Sequence, residues 1–312
     1  FRPPPPLWLL AVIGLLFFSI SLERLKIYWR IALAMMLAGI LLLISLPPRP
    51  YQPGRLEAYF LDVGHGDAGI VVFPGGDALL IDGGGASLSD FQVGRRLLLP
   101  FILQKKIRIR WAAISHYHPD HVKALIEIIA ILAPEELWLS SAAVDDEYYR
   151  QLLAVIPAKT IIKKVQLGFI KKIDGCSVAC LSPPRFIHSA QSDNNHSMVL
   201  RVSDGRHVFL FSGDIEKNAE AGIAAALGPS LAATVLKVPH HGSRTSSTPR
   251  FLDLVRPQLA VISCPSYSHF GFPHREVIER LKQRGIRWLT TARRGGIMIA
   301  STAAGMEIEV SK

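Results

Sequence analysis

His116-Tyr117-His118-Pro119-Asp120-His121 puts four side chains able to bind a metal within six residues. Imidazoles suit Zn²⁺ and other first-row divalent cations, and the carboxylate helps to hold a second one. The hexad follows the apolar run Trp111–Ile114 and opens a helical pattern near His121, so the backbone turns there and the four groups converge. Three other apolar runs end in polar groups of the same kind. Leu80-Ile81-Asp82-Gly83-Gly84 carries a carboxylate into a glycine turn, and Phe209-Leu210-Phe211-Ser212-Gly213-Asp214 carries another. Val235-Leu236-Lys237-Val238-Pro239-His240-His241-Gly242-Ser243 ends in paired imidazoles. Neighbouring histidines at a strand end take different roles, one as metal ligand and one as proton donor or phosphate contact. The residues leave open which does which; His240 is taken as the ligand. Lys237 is either a phosphate contact or a structural cation.

Such residues need a scaffold that brings strand ends together. Strand-like runs recur at 56–62, 69–73, 78–82, 110–114, 160–166, 175–181, 197–202, 207–212, 233–238 and 258–263. Helical patterns fall at 90–104, 121–132, 145–155, 215–226, 247–254 and 274–283. Strands mixed with helices through both halves predict one α/β layered domain over residues 56–312. Ahead of it, the proline-rich stretch 47–55 cannot continue a helix and reads as a semi-rigid linker. Two apolar runs open the chain, Leu7–Leu22 and Ile31–Leu46, and predict a membrane helical hairpin over residues 1–46. The segment between them, Glu23 to Arg30, is basic and aromatic; the positive-inside bias puts it in the cytoplasm and the following domain outside. The chain starts at Phe1 rather than Met, so it is expected to be a piece of a longer protein.

With 49% hydrophobic and 19% charged residues among 312, disorder is excluded. A mean hydropathy of +0.28 is high for a wholly soluble enzyme and agrees with membrane segments. The net charge is +10, and about half of that excess remains after residue 55, which suits a polyanionic partner. Cys176, Cys180 and Cys264 are too few for a disulfide scaffold and have no CxxC spacing.

The hexad, the Asp82 turn, the Asp214 loop and the His240-His241 pair resemble the metallo-β-lactamase superfamily. That resemblance implies an αβ/βα sandwich preceded here by two transmembrane helices, with two divalent metal ions, Zn or Mn, at one edge of the sheets. It implies His116, His118, Asp120, His121, Asp214 and His240 as metal ligands. Asp214 would bridge the ions and Asp82 would orient a metal-bound histidine from behind. Leu61-Asp62-Val63-Gly64-His65-Gly66-Asp67-Ala68 resembles the LDVGQGDA opening of the carboxy-terminal domain of ComEC-type proteins, with His65 in place of glutamine. Asn194-Asn195-His196-Ser197-Met198-Val199-Leu200, Lys237 to Ser243, and Gly271-Phe272-Pro273-His274 resemble three more of their segments, in the same order. Phe272 stands where a late histidine is usual, so His269 or His274 is a substitute ligand. Asp62 and Asp67 are expected to line the cleft, and His196 holds a position at which lactamases place a ligand.

The resemblance implies a metal-dependent phosphodiesterase of a membrane DNA-uptake channel, a competence protein of the inner membrane that degrades DNA during import. Its partners would be DNA, the membrane and the remainder of the channel. Asp120 and Asp214 would position the attacking oxygen and His241 would protonate the leaving one. Two rivals share the residues: a membrane-tethered hydrolase of a small ester, thioester or lactam, and a non-catalytic domain that supports the channel.

Overall fold

Apolar side chains alternate along the strands, so each strand presents a row to either face. On β1 (Glu57–Phe60), Ala58 and Phe60 point to one core while Tyr59 points to another. On β3 (Asp77–Ile81), Leu79 and Ile81 take the first side, and Ala78 and Leu80 the second. Strands with two apolar faces must be covered on both, and the result is four layers, helix–sheet–sheet–helix. In this computed structural model, residues 27–45, 54–85, 91–142, 146–184 and 192–312 are described, the side chains of 42–45 excepted.

The first sheet has eight strands. β1 lies beside β2 (Gly69–Val72), then come β3, β4 (Arg108–Ile114), β5 (Glu136–Ser140) and β6 (Ile161–Val165). On the other side of β1 lie β14 (Ile297–Thr302) and β15 (Gly305–Val310). β3 to β6 are parallel, and α3 (Pro119–Leu132) packs over them. α1 (Ile27–Ser45) and α2 (Leu99–Gln104), the latter after a π-helical turn at Gly94–Leu98, precede α3. α4 (Glu147–Val155) follows it and packs against it.

The second sheet runs β7 (Ile170–Ile173), β8 (Cys176–Ser182), β9 (Val199–Ser203), β10 (Val208–Phe211), β11 (Val235–Lys237), β12 (Leu259–Ile262) and β13 (Arg287–Thr290). Its outer face is covered by α5 (Lys217–Leu227), α6 (Pro249–Val255) and α7 (Arg275–Gln283). Between the sheets lies an aromatic core containing Phe60, Trp138, Phe209 and Phe211, with Phe60 and Phe211 stacked at 5.5 Å.

The α/β expectation holds, and each expected strand in the domain is present. β5, β7, β13, β14 and β15 were not expected. β7 and β13 are short and carry Lys171, Lys172 and Arg287, which breaks an apolar run. The expected apolar run at 7–22 and most of the proline-rich linker lie outside the described residues. The second run falls largely on α1, which exposes Ile31, Met35, Met36 and Ile40. Among the described residues, no helix is long and apolar enough to cross a membrane.

Candidate metal centre

The functional side chains sit where both sheets end on the same edge. β4 delivers Ser115 and His116; the chain then turns, and Pro119 at the first turn of α3 starts the helix that carries Asp120 and His121. His121 is fully buried, and its orientation is fixed from behind. Asp82, in a left-handed conformation just after β3, accepts from Ser115 N and Ser115 Oγ, both at 2.7 Å. Asp82 Oδ2 is also 2.9 Å from His121 Nδ1, which turns Nε2 of that ring toward the opposite sheet.

The opposite sheet answers with Asp214, just past β10. Gly213 before it has φ 51°, and a Cβ there would lie 2.8 Å from Ser197 Cβ and 3.0 Å from Ser115 Cβ, so only glycine lets the loop pass between them. Asp214 Oδ2 is 3.3 Å from His121 Nε2 and 3.3 Å from His241 Nε2. His241 Nε2 is in turn 3.3 Å from Asp120 Oδ2. Asp120, His121, Asp214 and His241 thus offer ligand atoms within 4.8 Å of one another.

The loop after β1 closes the floor. A Cβ on Gly66 would fall 1.9 Å from Asp120 O, so this glycine permits a backbone contact that pins the hexad turn. Asp67 N donates to Asp120 O at 3.2 Å. The Asp67 carboxylate forms a buried ion pair with Lys237, and its Oδ1 is 3.5 Å from His241 Nδ1. Lys237 also donates to Gly213 O at 3.2 Å and lies 3.8 Å from Asp214 Oδ1. Over the cluster lies His65, its Nε2 3.3 Å from Asp120 Oδ2 and its ring against those of His241 and Phe272.

Charge is balanced within this cluster. Burial opposes ionisation of Asp214, but the His241 and His121 charges outweigh it and hold the carboxyl well below the usual range. Burial likewise opposes protonation of His121, and Asp214, Asp82 and Asp120 reverse that, raising it well above the ordinary histidine value. The same holds for His241 through Asp214 and Asp67. Asp67 is pushed up by burial yet drawn down to about 2, chiefly by Lys237. His116 goes the other way: burial and the His121 charge push it well below the ordinary value.

A metal fits this donor set. Among the described residues, His116 Nε2, His121 Nε2, His241 Nε2 and both ring nitrogens of His196 are buried without a hydrogen-bond partner. Buried polar atoms are rarely left so, and imidazole nitrogens facing carboxylates are what a divalent cation satisfies. His116, His118 and His196 line one small cavity together, and the His116 and His118 rings are 4.6 Å apart.

Residues 61–143 match the family model described as Metallo-beta-lactamase superfamily. That match marks a metallo-β-lactamase domain within the chain. Its relatives are of the ComEC type. It is 30% identical over 280 residues to "Uncharacterized protein YcaI" of Escherichia coli, covering 90% of this chain and 34% of that protein. It is 26% identical to "ComE operon protein 3" of Bacillus subtilis, covering 95% and 39%. "Recombination protein 2" of Haemophilus influenzae is 30% identical, covering 81% and 30%. The chain therefore spans about a third of the length of these relatives. The metallo-β-lactamase fold protein YhfI of Bacillus subtilis shares the fold, with TM-score 0.52, 14% identity, and coverage of 78% of this chain and 99% of that one.

Within this metallo-β-lactamase fold the expected residues separate into groups. His116, His118, Asp120, His121, Asp214 and Asp82 meet at the sheet edge. His240 does not join the cluster: it sits on the rim, Nε2 4.0 Å from Asp214 Oδ2 and Nδ1 3.5 Å from Glu216 Oε1. Its neighbour His241 takes the inner place. Asp62 pairs with Lys312 at 2.9 Å rather than facing the cluster. Ser243 Oγ is 2.9 Å from Thr245 Oγ1 and braces the histidine turn. His274 stands just before α7 and its Nδ1 accepts from Arg244 N at 3.1 Å, and His269 lies exposed against Tyr267; neither substitute ligand reaches the centre. Sequence reasoning treated His65 only as a departure from a pattern. Its signal was an imidazole between two glycines, in a turn that faces the hexad.

Proposed function

We propose that this chain is the metal-dependent phosphodiesterase part of a membrane DNA-uptake channel, cutting DNA during import. The observation that carries this reading is the cluster of Asp120, His121, Asp214 and His241, whose ligand atoms lie within 4.8 Å of one another, with the buried nitrogens of His116 and His196 that have no hydrogen-bond partner. Asp120, His121, Asp214 and His241 would hold one cation, and His116, His118 and His196 with Asp214 a second. Divalent ions so held act as Lewis acids on a phosphoryl group and supply an attacking oxygen at neutral pH. The names of two relatives, "Recombination protein 2" and "Competence protein ComA", support the assignment to DNA uptake. The membrane hairpin over 1–46, the linker over 47–55, the catalytic domain over 56–312 and its extracytoplasmic side belong to the same proposal.

This chain's own residues divide the work. Asp82 holds His121, and the Asp67–Lys237 pair supports His241 and Asp214 from beneath. His240 and His65, at the rim beside Asp214 and Asp120, are the imidazoles that would pass a proton to the leaving oxygen. The test is incubation of the purified chain with labelled DNA, with and without Mn²⁺, Zn²⁺ or Mg²⁺. Cleavage that needs a metal and disappears in Asp214→Ala is expected. DNA left intact with every metal, in a folded chain that has bound two ions, would refute the nuclease reading.

A further inference from the structure

Beside the metal centre lies a second concavity, which of the expected motifs only the Gly271–His274 segment reaches. It has a volume of about 500 Å³, enough for a nucleotide, and opens between β12, β13 and α7. Phe272 links it to the centre: the ring lines the pocket, and its centroid lies 5.6 Å from that of His240 and 6.0 Å from that of His241. Trp288, 36% exposed, gives it a second aromatic surface. Phe270, 63% exposed, stacks on Phe272 at 5.5 Å and 24° and extends the aromatic shelf over His65.

Its charge is one-sided. Arg293 and Arg294 line it and are exposed, no acidic residue does, and among the described residues neither arginine has an acidic partner within 4 Å. Flat apolar rings flanked by guanidinium groups match a ligand with an exposed π-face and an anionic backbone. A paired duplex hides its base faces, whereas an unpaired strand offers them.

We infer that this pocket seats the nucleotide next to the scissile phosphate of a single DNA strand, its base on Trp288 and Phe272 and its phosphate on Arg293 and Arg294. This rests on the phosphodiesterase reading of the centre, because the pocket adjoins a site that must receive a phosphate. The arrangement escaped the sequence because its parts come from segments around residues 270, 288 and 293 that only the fold joins.

The experiment measures binding of a short fluorescein-labelled single-stranded DNA to the full chain by anisotropy, in excess chelator so that nothing is cut. Trp288→Ala is expected to weaken binding about tenfold. Arg293→Ala and Arg294→Ala should each weaken it several-fold and flatten the dependence of log affinity on log salt by about 0.7. Lys172→Ala, the same charge change on β7 at the far edge of that sheet, should do neither. Wild-type affinity in the three pocket variants, equal loss in Lys172→Ala, or equal dependence of duplex binding on Trp288 would each overturn the subsite. Restoring metal to the wild-type chain separates the two readings. Strand binding that depends on these residues, with no diester cut by any metal, would refute the phosphodiesterase and leave the subsite standing.

Discussion

His240 and His241 share a left-handed backbone, at φ 50° and 53°, yet their rings diverge. The turn sends His241 inward to Asp120 and Asp214 and leaves His240 on the rim against Glu216. The expected consequence is separable. His241→Ala should lower metal affinity by more than the roughly 10–100-fold that losing an outer partner costs, whereas His240→Ala should keep its metal. Elemental analysis after dialysis reads both, and the reverse pattern would make His240 the ligand. Lys237 supplies a second residue-scale outcome. Lys237→Met strands the Asp67 carboxylate in a buried site and should cost about 3–5 kcal/mol in urea unfolding, while adding Asp67→Leu should recover much of it. The hexad was legible because four metal-binding residue types follow one strand end, whereas Asp214 stood out only through the resemblance to metallo-β-lactamases. The choice between adjacent histidines was not legible, because both have the same chemistry and the backbone dihedrals decide. Asp67 was expected in the cleft, but its partner was not: the buried pair with Lys237 forms only when the fold brings β11 across to the loop after β1.

At the scale of elements, β5 joins the edges of the two sheets through one carboxylate. Glu136 accepts from Lys163 on β6 at 2.8 Å, from Lys171 on β7 at 3.0 Å and from Trp138 Nε1 at 2.8 Å. Partial burial raises its pKa, but these three donors outweigh that and hold it at about 2. A carboxyl depressed on folding stabilises above its unfolded value and loses that contribution as pH falls from about 4.5 toward about 2. Glu136→Gln should therefore flatten the acid limb of a Tm-against-pH curve in that window, by less than about 1 kcal/mol because the pair is partly solvated. An unaltered acid limb would show that the carboxylate contributes nothing there. β5 itself was missed because Glu135 and Glu136 interrupt the apolar signal right after a helix. α3 and α6 were found to within two residues, since α3 starts at a proline and α6 at a threonine cap followed by one, whereas the pattern at 90–104 became a π-helical turn and the short α2.

At the scale of the whole molecule the candidate metal ligands are divided between the sheets: the hexad follows a strand of the first, and Asp214 and His241 follow strands of the second. A bound cation would therefore tie the two sheets together, and its loss should be felt globally. With metal at about a thousand times its Kd, stabilisation is about 4 kcal/mol, so chelation should lower Tm by roughly 10 °C. A chelated chain that melts with the loaded one would mean that the ions bind elsewhere. The layered class was legible from alternating strand and helix patterns. The closing hairpin was not, because β14 and β15 complete a sheet whose other strands lie far earlier in the sequence. In that hairpin Ala300 of β14 stands opposite Glu57 of β1. A ribosome makes β1 among the first strands and its partner among the last, so on the nascent chain β1 keeps an open edge while nearly all of the domain is synthesised. Synthesis order thus sets when the first sheet can close. Ribosome-bound chains stalled before Gly296 should be digested by protease in the β1–β3 region, and chains carrying residues 297–310 clear of the exit tunnel should resist.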